Sequence, residues 1–422
     1  MSKHNKNPIL DPNLAQSIAH KYGTPIYIYS EEKLRKYATS ALGFPNAYGL
    51  SVRFAMKACP NKNIISLFNS LGLKIDASSV FEVYRAINAG VKPKNISLSA
   101  QEIPHDLEEV LNLGIDFNAC SLKQIEAYGR IMPNSNIGIR FNPGAGSGGN
   151  NRTNVGGVSS SFGIWHEYYP EVKTICEKYN LTVNRIHTHI GSGSDPKVWL
   201  KVALMNFEIL KKFETASILN LGGGYKVGRV KGEETTNLQL IGEPVKEEFI
   251  KFKKNTGRKI HLEIEPGTYL TANAGSLLAE VQDIVNTGEN GYNFIKLNTG
   301  MTELLRPSLY GSQHPLYIFK NAKNSILKNS NKSYVVVGHC CESGDILTPE
   351  EGQPELLSVR ELNNVGLGDL VLIGGTGAYA SSMATKNYNS YPEAPELIIN
   401  LNNEPVLIRK KQHHSEIWKN EI

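Results

Sequence analysis

The sequence predicts an α/β protein: a parallel (β/α)8, TIM-like barrel joined to a second, mostly antiparallel β domain. Three observations predict it. Eight short apolar runs recur between residues 52 and 264, most of them separated by helix-like segments. After about Gly275 the rhythm changes to strand-like runs without regular helices between them. No G-x-G-x-x-G follows an early strand, which counts against an open doubly wound sheet.

Taken in order, residues 13 to about 40 read as a helix, a short strand (26–29) and another helix. The barrel strands are read at 52–56, 73–77, 96–99, 115–119, 137–141, 186–190, 218–221 and 260–264. Helical segments fall at 63–71, 80–89, 104–113 and 122–131. The long gap after the fifth strand holds Gly144, Gly146, Gly148 and Gly149, a composition that suits a mobile active-site loop or a surface insertion. Later strands are read at 277–285, 292–297, 334–337, 370–373 and 396–401. The expected division is 1–40 as a segment contributing to the β domain, 41–275 as the barrel, and 276–422 as the C-terminal β domain.

Composition narrows the function classes. At 40% hydrophobic and 20% charged, the chain falls in the ordinary globular range. A net charge of +5 is too weak and too dispersed for a nucleic-acid footprint. The first twelve residues are polar, and no apolar run approaches the roughly 20 residues of a membrane span. Cys59, Cys120, Cys176, Cys340 and Cys341 show no C-x-x-C spacing, so neither a zinc site nor a disulfide framework is indicated. A reducing cytoplasm fits this usage.

The chemically unusual residues fall where barrel strands end. Lys57 ends the first strand and Asp76 the second. His187 and His189 end the sixth, Gly222-Gly223-Gly224 follows the seventh, and Glu265-Pro266-Gly267 follows the eighth. In a parallel barrel these ends share one mouth. A lysine ending a buried strand is expected to be desolvated, which lowers its pKa and makes a nucleophilic amine. Consecutive glycines let backbone N–H groups approach a phosphate. A carboxylate can pair with a pyridinium nitrogen, and an imidazole can stack on a flat ring. Singly each has a bland reading: a solvated lysine, a core histidine, a tight turn. Jointly they are the protein parts that pyridoxal 5'-phosphate requires.

With these residues in place, the chain resembles the fold-type-III pyridoxal-phosphate decarboxylases, and among them the diaminopimelate decarboxylases. The motifs are Phe54-Ala55-Met56-Lys57-Ala58, His189-Ile190-Gly191-Ser192, Leu221-Gly222-Gly223-Gly224 and Glu265-Pro266-Gly267. Arg306-Pro307-Ser308-Leu309-Tyr310, Cys341-Glu342-Ser343-Gly344-Asp345 and Gly377-Ala378-Tyr379 follow in the family order. The resemblance implies an alanine-racemase-like barrel with a β-barrel second domain.

It also implies roles. Lys57 would hold the cofactor as an imine, with Asp76 beside it. His189 would stack on the ring and Glu265 would pair with its nitrogen. Ser192, Gly222, Gly223, Gly224 and Tyr379 would hold the phosphate. Arg306, Tyr310, Glu342 and Tyr379 would bind the substrate, and Cys341 would return a proton after carbon dioxide leaves. A thiol pKa of about 8.5 suits a proton donor. In this family the Cys341 segment enters the partner's site, so a homodimer is implied. The implied reaction is decarboxylation of meso-2,6-diaminopimelate to L-lysine. Two alternatives stand beside it: a related decarboxylase of ornithine, lysine or another diamino acid, and a non-catalytic regulatory binding protein on the same fold. No metal is expected.

Two positions depart from the family pattern. Thr268 stands where an arginine usually follows glutamate-proline-glycine and grips the distal carboxylate. Ser160-Ser161-Phe162-Gly163 replaces the usual serine-lysine-phenylalanine-glycine. Arg152 in the glycine-rich loop is a candidate to supply the missing charge.

Overall fold

The computed structural model describes residues 8–144, 157–189, 195–321 and 331–422. It divides into a barrel unit, Arg35–Lys226 with Glu234–Leu270, and a β unit, Met1–Leu34, Val227–Glu233 and Thr271–Ile422. The short excursion Val227–Glu233 therefore leaves the stretch read as continuous barrel.

The barrel strands are Leu50–Ala55, Lys74–Ala77, Ile96–Leu98, Asp116–Ala119, Asn136–Asn142, Thr182–His187, Ile218–Asn220 and His261–Ile264. Each pairs in parallel with the next, His261–Ile264 returns to Leu50–Ala55, and all eight close into a ring. Such strands are covered on both faces, so they read as continuous apolar runs. The sixth begins four residues before its expected start, at Thr182. Its early residues Thr182, Asn184 and Arg185 are polar, which hid it.

Arg185 belongs to a charged group inside the barrel. Arg53 Nη2 reaches Asp116 Oδ2 at 2.5 Å and Glu263 Oε1 at 3.0 Å. Arg185 reaches the same two carboxylates, each at 3.0 Å. Arg53 is 0% exposed, so its charge must be paired. Two guanidiniums against two carboxylates close the group at zero net charge.

Helix starts fix the turns leaving two strands. Ser79 Oγ accepts from Glu82 N–H, while Glu82 Oε2 accepts from Ser78 N–H at 2.7 Å. Ser121 and Gln124 repeat this, with Gln124 Oε1 accepting from Cys120 N–H at 2.6 Å. Each reciprocal pair satisfies backbone donors that a helix leaves open.

Among the described residues, the β unit holds a nine-stranded, mostly antiparallel sheet whose pairings trace an open path. Ile26–Ser30 runs antiparallel to Gly275–Asn286 and parallel to Glu396–Ile399. Strands Leu316–Phe319, Arg360–Asn363 and Pro405–Arg409 were not read from the sequence. The core gathers Ile18, Ile26, Ile28, Leu278, Leu372 and Leu397. No helix among the described residues is long and apolar enough to cross a membrane.

Candidate active site

Because all eight strands run the same way, their C-terminal ends form one rim. The first strand is buried through Ala55 and then enters a 3-10 turn, Met56–Ala58, in which Lys57 is exposed. This corrects the expectation of a desolvated lysine. Met56 and Ala58 are packed inside, and the turn carries Lys57 out of the interior.

Asp76 on the second strand is in register with Ala55 and is buried. It accepts a hydrogen bond from Ser97 Oγ at 3.3 Å. Burial and then the charge of Glu265 push its carboxyl well above the ordinary range, with the Lys57 ammonium opposing them.

Glu265 is buried just past the eighth strand. Its Oε2 lies 3.1 Å from His187 Nε2, and its Oε1 accepts from Asn220 Nδ2 at 2.6 Å. Burial opposes its charge, but His187, His189 and Asn220 outweigh burial and hold the carboxyl below the usual range. Burial lowers His187, with Arg140 and Arg185 adding to that effect and Glu265 opposing it. The carboxylate is therefore the ionised member of this pair.

His189 stands two residues past the sixth strand, and its Nδ1 accepts from Gly223 N–H at 3.1 Å. That bond leaves Nε2 to carry the proton of the neutral ring. Burial, then Arg140 and Lys57, keep the imidazole well below its ordinary pKa, so it is neutral at pH 7.

Gly222 has φ +68°, and a Cβ there would sit 2.5 Å from Thr188 O. A Cβ on Gly223 would sit 2.3 Å from Glu265 O. Side chains are thus excluded from this turn, and Asn220 Oδ1 accepts from Gly222 N–H at 2.8 Å to hold its shape. Gly224 follows at φ +99°.

Sequence reasoning missed Arg140, a buried cation on the fifth strand whose charge acts on His189 and Asp76. Its guanidinium lies 5.3 Å from the Phe162 ring. The available signal was an arginine inside an apolar run. Arg53 and Asn220 carried similar signals. Ser192 and Arg152 lie outside the described residues.

The β unit holds a second group. Arg306 opens the helical turn Arg306–Tyr310, and its guanidinium lies 5.3 Å from the Tyr310 ring and 5.9 Å from the Tyr379 ring. Tyr379 adopts φ +54°, two residues after Gly377, where a Cβ would meet Thr271 O at 2.0 Å.

Cys341 and Glu342 are exposed on a built turn. Asp345 organises it, accepting from Met301 N–H at 2.7 Å and Cys340 N–H at 2.9 Å. Asn389 Oδ1 accepts from Cys341 N–H at 2.9 Å, and Glu342 Oε1 from Gly344 N–H at 3.1 Å.

The rim fits pyridoxal phosphate. Its glycine turn excludes side chains, its buried carboxylate stays ionised, its imidazole is neutral and flat, and it carries a lysine. No group of metal ligands occurs among the described residues.

Comparison with known proteins agrees. Residues 32–272 match the family described as "Pyridoxal-dependent decarboxylase, pyridoxal binding domain". Diaminopimelate decarboxylase of Escherichia coli (strain K12) is 32% identical over 411 residues, covering 95% of this chain and 94% of that one. That of Streptomyces coelicolor is 32% identical over 420 residues, covering 97% and 92%. A crystal structure of diaminopimelate decarboxylase aligns with TM-score 0.90 at 31% identity, covering 99% of this chain and 98% of the other. The Helicobacter pylori enzyme complexed with L-lysine aligns with TM-score 0.82 at 26% identity, covering 96% and 98%. Matched by the cofactor-binding model over its barrel and by these relatives over almost its whole length, the chain belongs to the pyridoxal-dependent decarboxylases, in the diaminopimelate decarboxylase family.

Proposed function

We infer that this chain decarboxylates meso-2,6-diaminopimelate to L-lysine and carbon dioxide, with pyridoxal phosphate as cofactor. The observation that carries the substrate reading is Arg306. Its Nε is buried without a hydrogen-bond partner among the described residues, beside Tyr310 and Tyr379. A buried guanidinium calls for an anion. The second carboxylate of diaminopimelate supplies one, whereas the side-chain amine of ornithine or lysine does not.

In this reading Lys57 holds the cofactor through its amine, with Asp76 beside it. Glu265 presents a fixed negative charge to the ring nitrogen, and neutral His189 covers the ring face. The Gly222-Gly223-Gly224 turn, with Ser192 and Tyr379, would take the phosphate. When bound, pyridoxal phosphate supplies the electron sink for the pair left by departing carbon dioxide. Arg306, Tyr310, Glu342 and Tyr379 orient the substrate by its distal end. The Cys341 thiol delivers a proton to the carbon that lost its carboxylate.

Exposure of Cys341 and Glu342 on an ordered turn supports a homodimer in which they complete the partner's site. Five free cysteines support a cytoplasmic location. Thr268, which opens a short helical turn, favours a second reading, a diamino-acid decarboxylase lacking one carboxylate grip. The presence of both Lys57 and Cys341 speaks against a non-catalytic binding protein.

The test combines spectrum and product. Purified enzyme is expected to show the visible band of bound pyridoxal phosphate and to convert meso-diaminopimelate to L-lysine, identified by chiral chromatography. Lys57→Ala should lose the band and nearly all turnover. An unchanged band in that variant would overturn the cofactor assignment.

A further inference from the structure

The β unit contains a second inward-facing guanidinium that none of the roles above uses. Arg229 lies on Val227–Glu233, the excursion that packs with the β unit rather than the barrel. Its Nε donates to the Gly375 carbonyl at 3.0 Å. Gly375 has φ +68°, and a Cβ there would lie 2.9 Å from both Cγ and Cδ of Arg229. Only glycine leaves room for the arginine stem.

Arg229 is only partly covered as a residue, but its Nη2 is buried and has no hydrogen-bond partner among the described residues. The Nε of Arg306 is in the same state. The two cations feel each other. Burial first, then Arg306, bring the Arg229 guanidinium down to about 9. Among the described residues, Glu233 is the one carboxylate that acts on both. Its Oε2 is engaged by the backbone N–H of Arg229 at 2.7 Å and of Val230 at 3.5 Å.

Among the described residues, two guanidiniums against one carboxylate leave this cluster one negative charge short. Burying like charges without a counterion is costly, and arginine's planar fork matches a carboxylate. We propose that Arg229 and Arg306 together bind the distal carboxylate of the substrate. This specificity role rests on the diaminopimelate reading.

The experiment compares two inhibitors of the holoenzyme. L-Lysine retains the carboxylate that the reaction leaves in place, whereas pentane-1,5-diamine has the same chain and amines without it. Loss of one charge-assisted hydrogen bond from a covered site weakens binding roughly 10- to 150-fold. In Arg229→Gln, the inhibition constant for L-lysine and the KM for meso-diaminopimelate are expected to rise within that range. The constant for pentane-1,5-diamine should stay within about twofold, since it lacks the group that forms this bond. Arg229→Lys keeps the charge but not the fork and should fall between wild type and Arg229→Gln. It also carries the test if Arg229→Gln fails to fold.

Unchanged L-lysine inhibition overturns the proposal. So does equal weakening of both inhibitors, which marks Arg229 as a structural anchor only. Wild-type turnover separates the two levels. If wild type does not act on meso-diaminopimelate while binding of L-lysine, read by titrating the visible band, still depends on Arg229, the activity is misassigned and the carboxylate site stands.

Discussion

The side-chain amide of Asn220 donates to Glu265 Oε1 at 2.6 Å and also approaches Glu263 Oε2 at 3.3 Å. One strand-end residue thus ties the carboxylate of the rim to the charged group inside the barrel. Asn220→Asp would replace this donor with a second carboxylate and push the Glu265 carboxyl upward. Affinity for pyridoxal phosphate should fall by roughly 10- to 150-fold, the range for losing a hydrogen bond to a charged group. Titrating the apoenzyme and following the visible band measures this. Unaltered affinity would mean that the charge state of Glu265 does not matter for cofactor binding.

Glu263 is buried and binds both Arg53 and Arg185. Glu263→Gln would leave two buried guanidiniums sharing Asp116. Breaking a buried ion pair from one side costs about 3–5 kcal/mol. Urea denaturation followed by circular dichroism should show a loss of that size. A loss below about 1 kcal/mol, the scale of an exposed pair, would mean that the remaining groups compensate.

His314 gives a pH dependence. It is buried, its Nδ1 lies 2.9 Å from the Gly374 carbonyl oxygen, and its Nε2 has no hydrogen-bond partner among the described residues. Burial, then Arg229, push its pKa down to about 3. A folded pKa below the unfolded value of about 6.5 means the unfolded chain binds the extra proton first. The contribution of His314 to stability is therefore complete above pH 6.5 and is lost as pH falls toward 3. His314→Gln should melt with a shallower dependence on pH between those limits. Parallel melting curves for the two proteins would contradict it.

The shared-site reading predicts complementation. Lys57→Ala and Cys341→Ala are each expected to be nearly inactive. After subunit exchange, a hybrid dimer has one site with both residues intact, so mixed samples should regain part of the activity. Exchange verified by mass without recovery would place Lys57 and Cys341 of one chain in the same site.

Much of this was legible because buried parallel strands are uniformly apolar and their ends carry the chemistry. Lys57, Asp76, His189 and Glu265 could each be placed on the rim by counting strands. What was hidden depended on partners distant in sequence. Arg53 and Glu263 interrupt apolar runs and Arg185 precedes one, and only the closed ring sets them opposite one another. The exposure of Lys57 depended on a single 3-10 turn, below the resolution of periodicity. Arg229 sat in a loop with no pattern, and its significance comes from Gly375, 146 residues away in the chain. Edge strands such as Pro405–Arg409 are half-exposed and carry no strong apolar signal.

The most direct test of the central claim is a substrate panel read by carbon dioxide release: meso-diaminopimelate, D- and L-lysine, and D- and L-ornithine, compared by kcat/KM. Meso-diaminopimelate is expected to be turned over at least about tenfold better than any other member, the minimum set by one charge-assisted contact to its distal carboxylate. Faster release from lysine or ornithine would contradict it.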